Sequence, residues 1–464
     1  MYALRRGVGL AAGAAGLLFL LVFSEKMIAQ PELEHWRINT DGATGRYYTG
    51  GNLVDNGIEC DVQEVLFSSA NVYVRATGVP RYPTAPFSDG NPSQAQDQDY
   101  LFRIPRQPEV GPSGGTATGL GHTGVLINGV VIFNPLDAFS YNNQNVWHQN
   151  GGFFELDGFD CAGGHPAMGQ YHHHLVPAPF SDAPDPASDV CTGFPSEGLI
   201  ALDPTVHSPL IGFAFDGYPI YGPFGFSAAD GTGGIARIRS SYRTRDITVR
   251  HTLANGTALP PNQWGPDVGA FITPAIPPGA APIAADLGAY AEDFEFIAGL
   301  GDLDIHNGRF CVTPDYPNGT YAYFATVDSL LHPAFPYFLA SYRGVVATDN
   351  FGGPPGSGNS TGVTISEAVE TYTGSSSAEG PGGTGGRPCG AGPAPNPATD
   401  SFTWAGLPLD GAQRLDFYDM GGRLIRAGLS ADGCDTSGLP RGTYLVRWAN
   451  QPGCPPVRLV LVRP

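Results

Sequence analysis

Lysine is nearly missing from this chain: Lys26 is the only one among 464 residues, and every later positive side chain is arginine. Charged residues make up only 14%, and acidic side chains outnumber basic ones 43 to 24, for a net charge of −19. Such a surface repels phosphate backbones and anionic headgroups, which argues against nucleic acid as a partner. No Cys-x-x-Cys occurs, so neither a zinc ribbon nor a thioredoxin-like site is supported. His-Glu-x-x-His, Gly-x-Ser-x-Gly, the phosphate-binding loop and the dinucleotide fingerprint are also missing, so no motif marks an enzyme. Helical periodicity is scarce, and residues 284–298 form the one expected helix. Beyond residues 7–23 no apolar run is long enough to cross a bilayer.

That early run reads as an export signal. Arg5-Arg6 precede an apolar stretch from Gly7 to Phe23, and Met27-Ile28-Ala29 offers a small residue at a cleavage point, so residues 1–29 are expected to be a removable signal peptide. No stable membrane span is expected after its removal. In an exported protein the seven cysteines read first as disulfides. Cys161 with Cys191, Cys434 with Cys454 and Cys60 with Cys311 are the candidate pairs, leaving Cys389 over.

Strand signals dominate the rest. Val62 to Val74 is rich in β-branched and aromatic residues, and Asn128-Gly129, Asp216-Gly217 and Asn318-Gly319 sit beside apolar runs as hairpin turns do. The expected class is therefore mainly β: a large, loop-rich β domain over residues 30–374, with 363–372 as a closing strand. No internal repeat is expected. Residues 375–394 are Gly/Pro/Ser-rich and read as a flexible linker. Residues 395–464 then carry short strands spaced by turns, the pattern of a small immunoglobulin-like β-sandwich.

This tail holds Asn396-Pro397, then Tyr418-Asp419 ahead of Gly422-Arg423, then Leu439-Pro440-Arg441-Gly442-Thr443-Tyr444, and Arg458 within the final apolar strand. In that order these elements resemble the type A C-terminal sorting domain of the type IX secretion system. The resemblance implies a Bacteroidota-type source, with Sec export to the periplasm and then translocation by the type IX machinery acting on residues 395–464. The mature protein would be secreted or attached to the cell surface.

Four of the eleven histidines fall within ten residues, at His165, His172, His173 and His174. In an extended segment residues i and i+2 share a face, so His172 and His174 point together while Tyr171 and His173 point away. His165, across a Pro/Gly turn, can fold back to meet them. Three neutral imidazoles converging in this way suit zinc or copper and leave a position open. His122 is a candidate fourth ligand. Asp216 is a candidate for orienting a ligand histidine, and Tyr171 for a packing residue with a bonded hydroxyl. Glu155 and Glu197 are near enough in sequence to act as a base. The competing reading is a buried polar staple that locks a loop-rich core.

Gly164-His165-Pro166 with Gly169-Gln170-Tyr171-His172-His173-His174 resembles the signature of the YHYH domain family, with His173 where that family has its second tyrosine. Tyr100 to Arg106, Gly124 to Val130, Asp216 to Gly222 and Gly301 to Phe324 resemble further segments of it, so the likeness spans about 60–350. No activity comes with the resemblance. The reading is an exported protein whose domain binds a transition metal. A metal-dependent secreted hydrolase or oxidase on the same histidines, of unknown substrate, and a structural or adhesive surface protein are the alternatives.

Overall fold

The computed structural model describes residues 30–176 except residue 88, then 203–274, 281–351 and 361–373, and past these chiefly the strands of a C-terminal unit. The chain divides between residues 374 and 375 into two compact units. The expected signal peptide, nearly all of the expected linker, Cys191, Glu197, Cys389 and Cys454 lie outside the described residues.

Two larger sheets carry the first unit, with several two-stranded pairs around them. In the smaller, β1 (Val62–Phe67), β2 (Asn71–Ala76) and β3 (Tyr100–Pro105) run antiparallel in that order, and the two-residue strand Glu370–Thr371 pairs with the outer side of β1. The expected strand over 363–372 contracts to those two residues. The larger sheet has eight strands: β4 (His122–Leu126), β5 (Val131–Phe133), β6 (Gly164–Ala167), β7 (Gln170–His173), β8 (Leu210–Ala214), β9 (Pro219–Tyr221), β10 (Gly308–Cys311) and β11 (Thr320–Phe324). Their spatial order is β6-β7-β5-β4-β8-β9-β11-β10. Every residue of β4 and β8 is buried, as expected for central strands covered on both faces. Val72, Val74, Phe102 and Ile104 of the small sheet share one core with Val125, Leu126, Phe213 and Ile220 of the large one.

The large sheet contains one unit twice, which overturns the expectation of no repeat. Gly124 to Phe133 reads Gly-Val-Leu-Ile-Asn-Gly-Val-Val-Ile-Phe, and Gly212 to Tyr221 reads Gly-Phe-Ala-Phe-Asp-Gly-Tyr-Pro-Ile-Tyr. These two hairpins meet back to back, with Gly124 opposite Ala214, Val125 opposite Phe213 and Leu126 opposite Gly212. A Cβ on Gly124 would lie 2.7 Å from the Phe213 carbonyl, and one on Gly212 would lie 2.5 Å from that of Val125. Each hairpin then pairs in parallel with an outer hairpin, β5 with β7 and β9 with β11. The outer hairpins match as well. Asp160 accepts the Tyr171 hydroxyl at 2.8 Å and the amides of Ala162 and Gly164, while Asp304 accepts the Tyr321 hydroxyl at 2.9 Å and the amides of His306 and Gly308. The repeat escapes a fixed-period scan because residues 222–303 form a far longer connection than residues 134–159.

A smaller core cluster of Trp147, Ala285, Ala289 and Tyr290 supports the pair of strands Leu136–Ser140 and His148–Asn150, and after them the one-turn helix Gly151–Phe154. Arg250, fully buried, binds both oxygens of the fully buried Asp293 at 2.7 and 2.8 Å and donates to the carbonyls of Pro266, Ala285 and Asp286. The helix expected over 284–298 does not form. Asp293 accepts the amides of Gly288 and Tyr290, Gly288 has φ +103°, and the segment becomes a single 3-10 turn (Ala291–Asp293) followed by the strand Phe294–Phe296.

Cys161 is disulfide-bonded. The expected Cys60–Cys311 bridge is not formed: the two thiols are buried at separate places, Cys60 ahead of β1 with Sγ 3.3 Å from the Ala43 carbonyl, and Cys311 at the end of the edge strand β10. In the C-terminal unit, strands at Gly392–Ala394, Ser401–Ala405 and Cys434–Asp435 form one antiparallel sheet. Arg414–Tyr418, Leu424–Ser430, Gly442–Trp448 and Val457–Leu461 form a second. The chain is mainly β, as its sequence predicts.

Candidate metal centre

The histidines are set by a tight hairpin. β6 and β7 join through Met168-Gly169, both at positive φ (+50° and +93°), the two-residue geometry whose twist suits a hairpin. That register puts His165 directly opposite His172. His174 follows two residues on, so its side chain returns to the face of His172. The alternate residues turn the other way: the Tyr171 hydroxyl donates to Asp160, and His173 Nε2 lies 2.7 Å from the Tyr82 hydroxyl with Nδ1 3.1 Å from the Gly163 carbonyl.

His165, His172 and His174 are brought together, with ligand atoms all within 4.8 Å of one another. Nε2 of His172 lies 3.0 Å from Nε2 of His165 and 3.2 Å from Nε2 of His174. The other nitrogens of two rings face backbone oxygens: His172 Nδ1 lies 3.0 Å from the Gln170 carbonyl, and His174 Nδ1 lies 2.7 Å from that of Asn134. A carbonyl only accepts, so Nδ1 carries the proton in both rings and each Nε2 presents a lone pair inward. All three rings are buried, at 2–7% exposure, and Phe133 stacks on His172 while Phe159 meets His165 edge-on. Burial pushes their pKa values down, to about 4 for His174, and mutual proximity pushes His165 and His172 down further.

Glu155, named in the sequence only for its proximity, belongs to this site. It ends the helix Gly151–Phe154, with Oε2 3.1 Å from His174 Nε2 and Oε1 3.8 Å from His165 Nε2. Burial, then the negative charges of Asp137 and Asp89, push its carboxyl well above the usual range. Asp137 itself is raised to about 6 by burial. Two glycines make the crowding possible. A Cβ on Gly151 would sit 2.9 Å from Glu155 Oε2 and 3.2 Å from His174 Nδ1, and one on Gly158 would sit 3.0 Å from Asp89 Oδ2 and 3.3 Å from His165 Nδ1. The approach of Asp89, like the Asn134 carbonyl that orients His174, left no sequence signal, because tertiary folding alone creates it.

The remaining candidates sit elsewhere. His122 is buried on β4 among Tyr100, Phe102 and Phe133, with Nε2 3.0 Å from Gln170 Nε2 and Nδ1 3.4 Å from the Asn350 carbonyl. Both of its nitrogens are engaged outside the triad. Asp216 accepts from the Tyr323 hydroxyl at 2.6 Å and the Gly344 amide at 2.8 Å, so it braces β11 rather than orienting a histidine. Backbone carbonyls orient His172 and His174 instead.

Fold and site together define a mainly β domain with a buried histidine triad that could hold a metal ion. Its family model, described as YHYH protein, matches residues 101–344, so the chain belongs to the YHYH protein family. No curated protein and no solved structure matches it.

Proposed function

We propose that this is an exported protein whose YHYH domain binds a transition metal ion, zinc or copper, through His165, His172 and His174. The observation that carries the reading is the contact between lone pairs. His172 and His174 have both committed their Nδ1 protons to carbonyls, and their Nε2 atoms still face each other at 3.2 Å. Two acceptors that close in a dry site repel unless a cation lies between them. Nitrogens held about 2.0–2.1 Å from one ion stand roughly 2.9–3.4 Å apart, and the separations of 3.0 and 3.2 Å fall in that range. A hydrogen-bonded staple without metal needs a donor between His172 and His174, and both of these rings turn an acceptor to the other. When bound, the ion would supply a Lewis-acid or redox centre; the chain's own groups hold it, orient the imidazoles and exclude water from two sides through Phe133 and Phe159.

A second reading, a metal-dependent hydrolase or oxidase, is favoured by one observation: a carboxylate within reach of two ligand histidines. Support for export comes from the charged and apolar pattern of residues 5–29, and support for type IX translocation from the ordered motifs of residues 395–464.

The test is metal content of the purified protein by mass spectrometry. Near-stoichiometric zinc or copper is expected in the wild type and is lost in the His172→Ala/His174→Ala double variant. A wild type that carries no metal and cannot be loaded, beside a double variant that melts early, would return the triad to a structural role.

A further inference from the structure

We infer that Glu155 is a fourth protein ligand, closing the triad into a three-nitrogen, one-oxygen shell that takes a divalent transition ion and leaves no open position. This rests on the metal reading above and goes past it, because a triad alone leaves one position for water or substrate.

The argument starts from a ring of donors. His172 neighbours His165 at 3.0 Å and His174 at 3.2 Å, and Glu155 neighbours His174 at 3.1 Å and His165 at 3.8 Å. Glu155 thus reaches the two outer histidines, Oε2 toward His174 and Oε1 toward His165, beside the three nitrogens that converge. Oxygen and nitrogen ligands about 2.0–2.2 Å from zinc stand roughly 3–3.6 Å apart, and the separations of 3.0, 3.2 and 3.1 Å already have the spacing of a filled shell.

The second observation is independent of the ring. Glu155 Oε2 is buried and takes no hydrogen bond from any described residue, although it lies 3.1 Å from a nitrogen. The reason is on the far side of that ring, where His174 Nδ1 donates to the Asn134 carbonyl and leaves Nε2 as an acceptor. A carboxylate oxygen aimed at an imidazole lone pair is costly in a dry site unless a proton or a shared cation lies between the two. The approach is also built in. Gly151 stands where any Cβ would crowd both Oε2 and the His174 ring, and the helix carrying Glu155 is capped by Asn150, whose side chain accepts the Gly152 amide and the Tyr337 hydroxyl.

Three imidazoles with a carboxylate form a borderline-to-hard donor set, which fits zinc or cupric ion better than cuprous ion. The charge of the site points the same way, since Asp137 and Asp89 flank Glu155 and add negative charge around a dication.

The experiment is titration of the metal-stripped full chain with Co²⁺, followed by visible absorption, for wild type, Glu155→Gln, Glu155→Asp and His172→Ala. Expected are intense bands of four-coordinate cobalt in the wild type. Glu155→Gln should bind about 10–100-fold more weakly with a shifted spectrum, and Glu155→Asp should fall between the two. His172→Ala should show no bands. Melting of each stripped variant separates lost ligands from lost fold. If Glu155→Gln keeps wild-type affinity and spectrum while His172→Ala loses both, Glu155 is an ion-pair or base partner of His174, and only the fourth-ligand idea falls. If the wild type itself takes up no cobalt, both readings fall.

Discussion

At the residue scale, His122 offers a cleaner handle on protonation than the triad, because it stands apart from any ligand. It is 4% exposed in an aromatic box, and burial, outweighing its bonds to Asn350 and Gln170, which push the other way, brings its pKa down to about 4. The sign follows from proton counting. Above pH 6.5 the ring is neutral in both folded and unfolded chains. Between about 6.5 and 4 the unfolded chain binds the proton and the folded one does not, so stability falls as the pH is lowered through that window. The drop amounts to about 3 kcal/mol at about 1.4 kcal/mol per pKa unit. Urea unfolding at pH 7.5 and 4.5 should show this loss together with those of the triad and His173, and His122→Gln, which keeps a polar partner for Gln170, should shrink the total by about that amount. An equal pH dependence in the variant would mean that His122 is not the group responsible. The convergence of the triad was legible in the sequence because period-two alternation fixes faces without knowledge of the fold. The fourth group was not, since residues ten apart meet only after a helix and a turn have been placed.

At the element scale, the layer that presents Glu155 hangs on Arg250. Its guanidinium ties Asp293 to three backbone carbonyls and lies 4.9 Å from the centre of the Tyr290 ring, while Asn150 at the foot of the Glu155 helix bonds Ala289 and Gly288. Arg250→Met leaves a buried carboxylate without its charge partner, and a loss of about 3–5 kcal/mol is expected. Chemical denaturation measures the loss, and amide exchange at Asn150 should accelerate with it; an unchanged Asn150 amide would show that the helix is held by other contacts. The same layer marks the limit of pattern reading. Asn-Gly and Asp-Gly turns announced the hairpins β4–β5 and β8–β9, because a tight turn is encoded in two adjacent residues, whereas β10 and β11 are joined by the longer connection 312–319, which Asn318-Gly319 ends. The segment at 284–298 has the composition of a weak helix, but one buried carboxylate captured its amides and made a loop of it.

At the scale of the whole molecule, the low lysine content and net charge of −19 concern solubility and partners rather than the fold. The tail is read as an address. A chain ending at residue 394, expressed in a bacterium with a working type IX system, is expected to stay in the periplasm while the full chain reaches the surface or medium; fractionation with an antibody checks it, and surface delivery of the truncated chain would remove the sorting role. The doubled sheet, finally, amounts to a substitution experiment already performed within one chain. Where its halves agree, at Gly124 and Gly212, Asp160 and Asp304, Gly164 and Gly308, Tyr171 and Tyr321, the residue serves the architecture. Tyr171 falls in that group. Where the halves part, His165 stands against Arg309, His172 against Ala322 and His174 against Phe324. The second half closes the same hairpin and the same parallel seam with none of the three imidazoles, so the sheet has no need of them, and their presence in the first half calls for a reason other than folding.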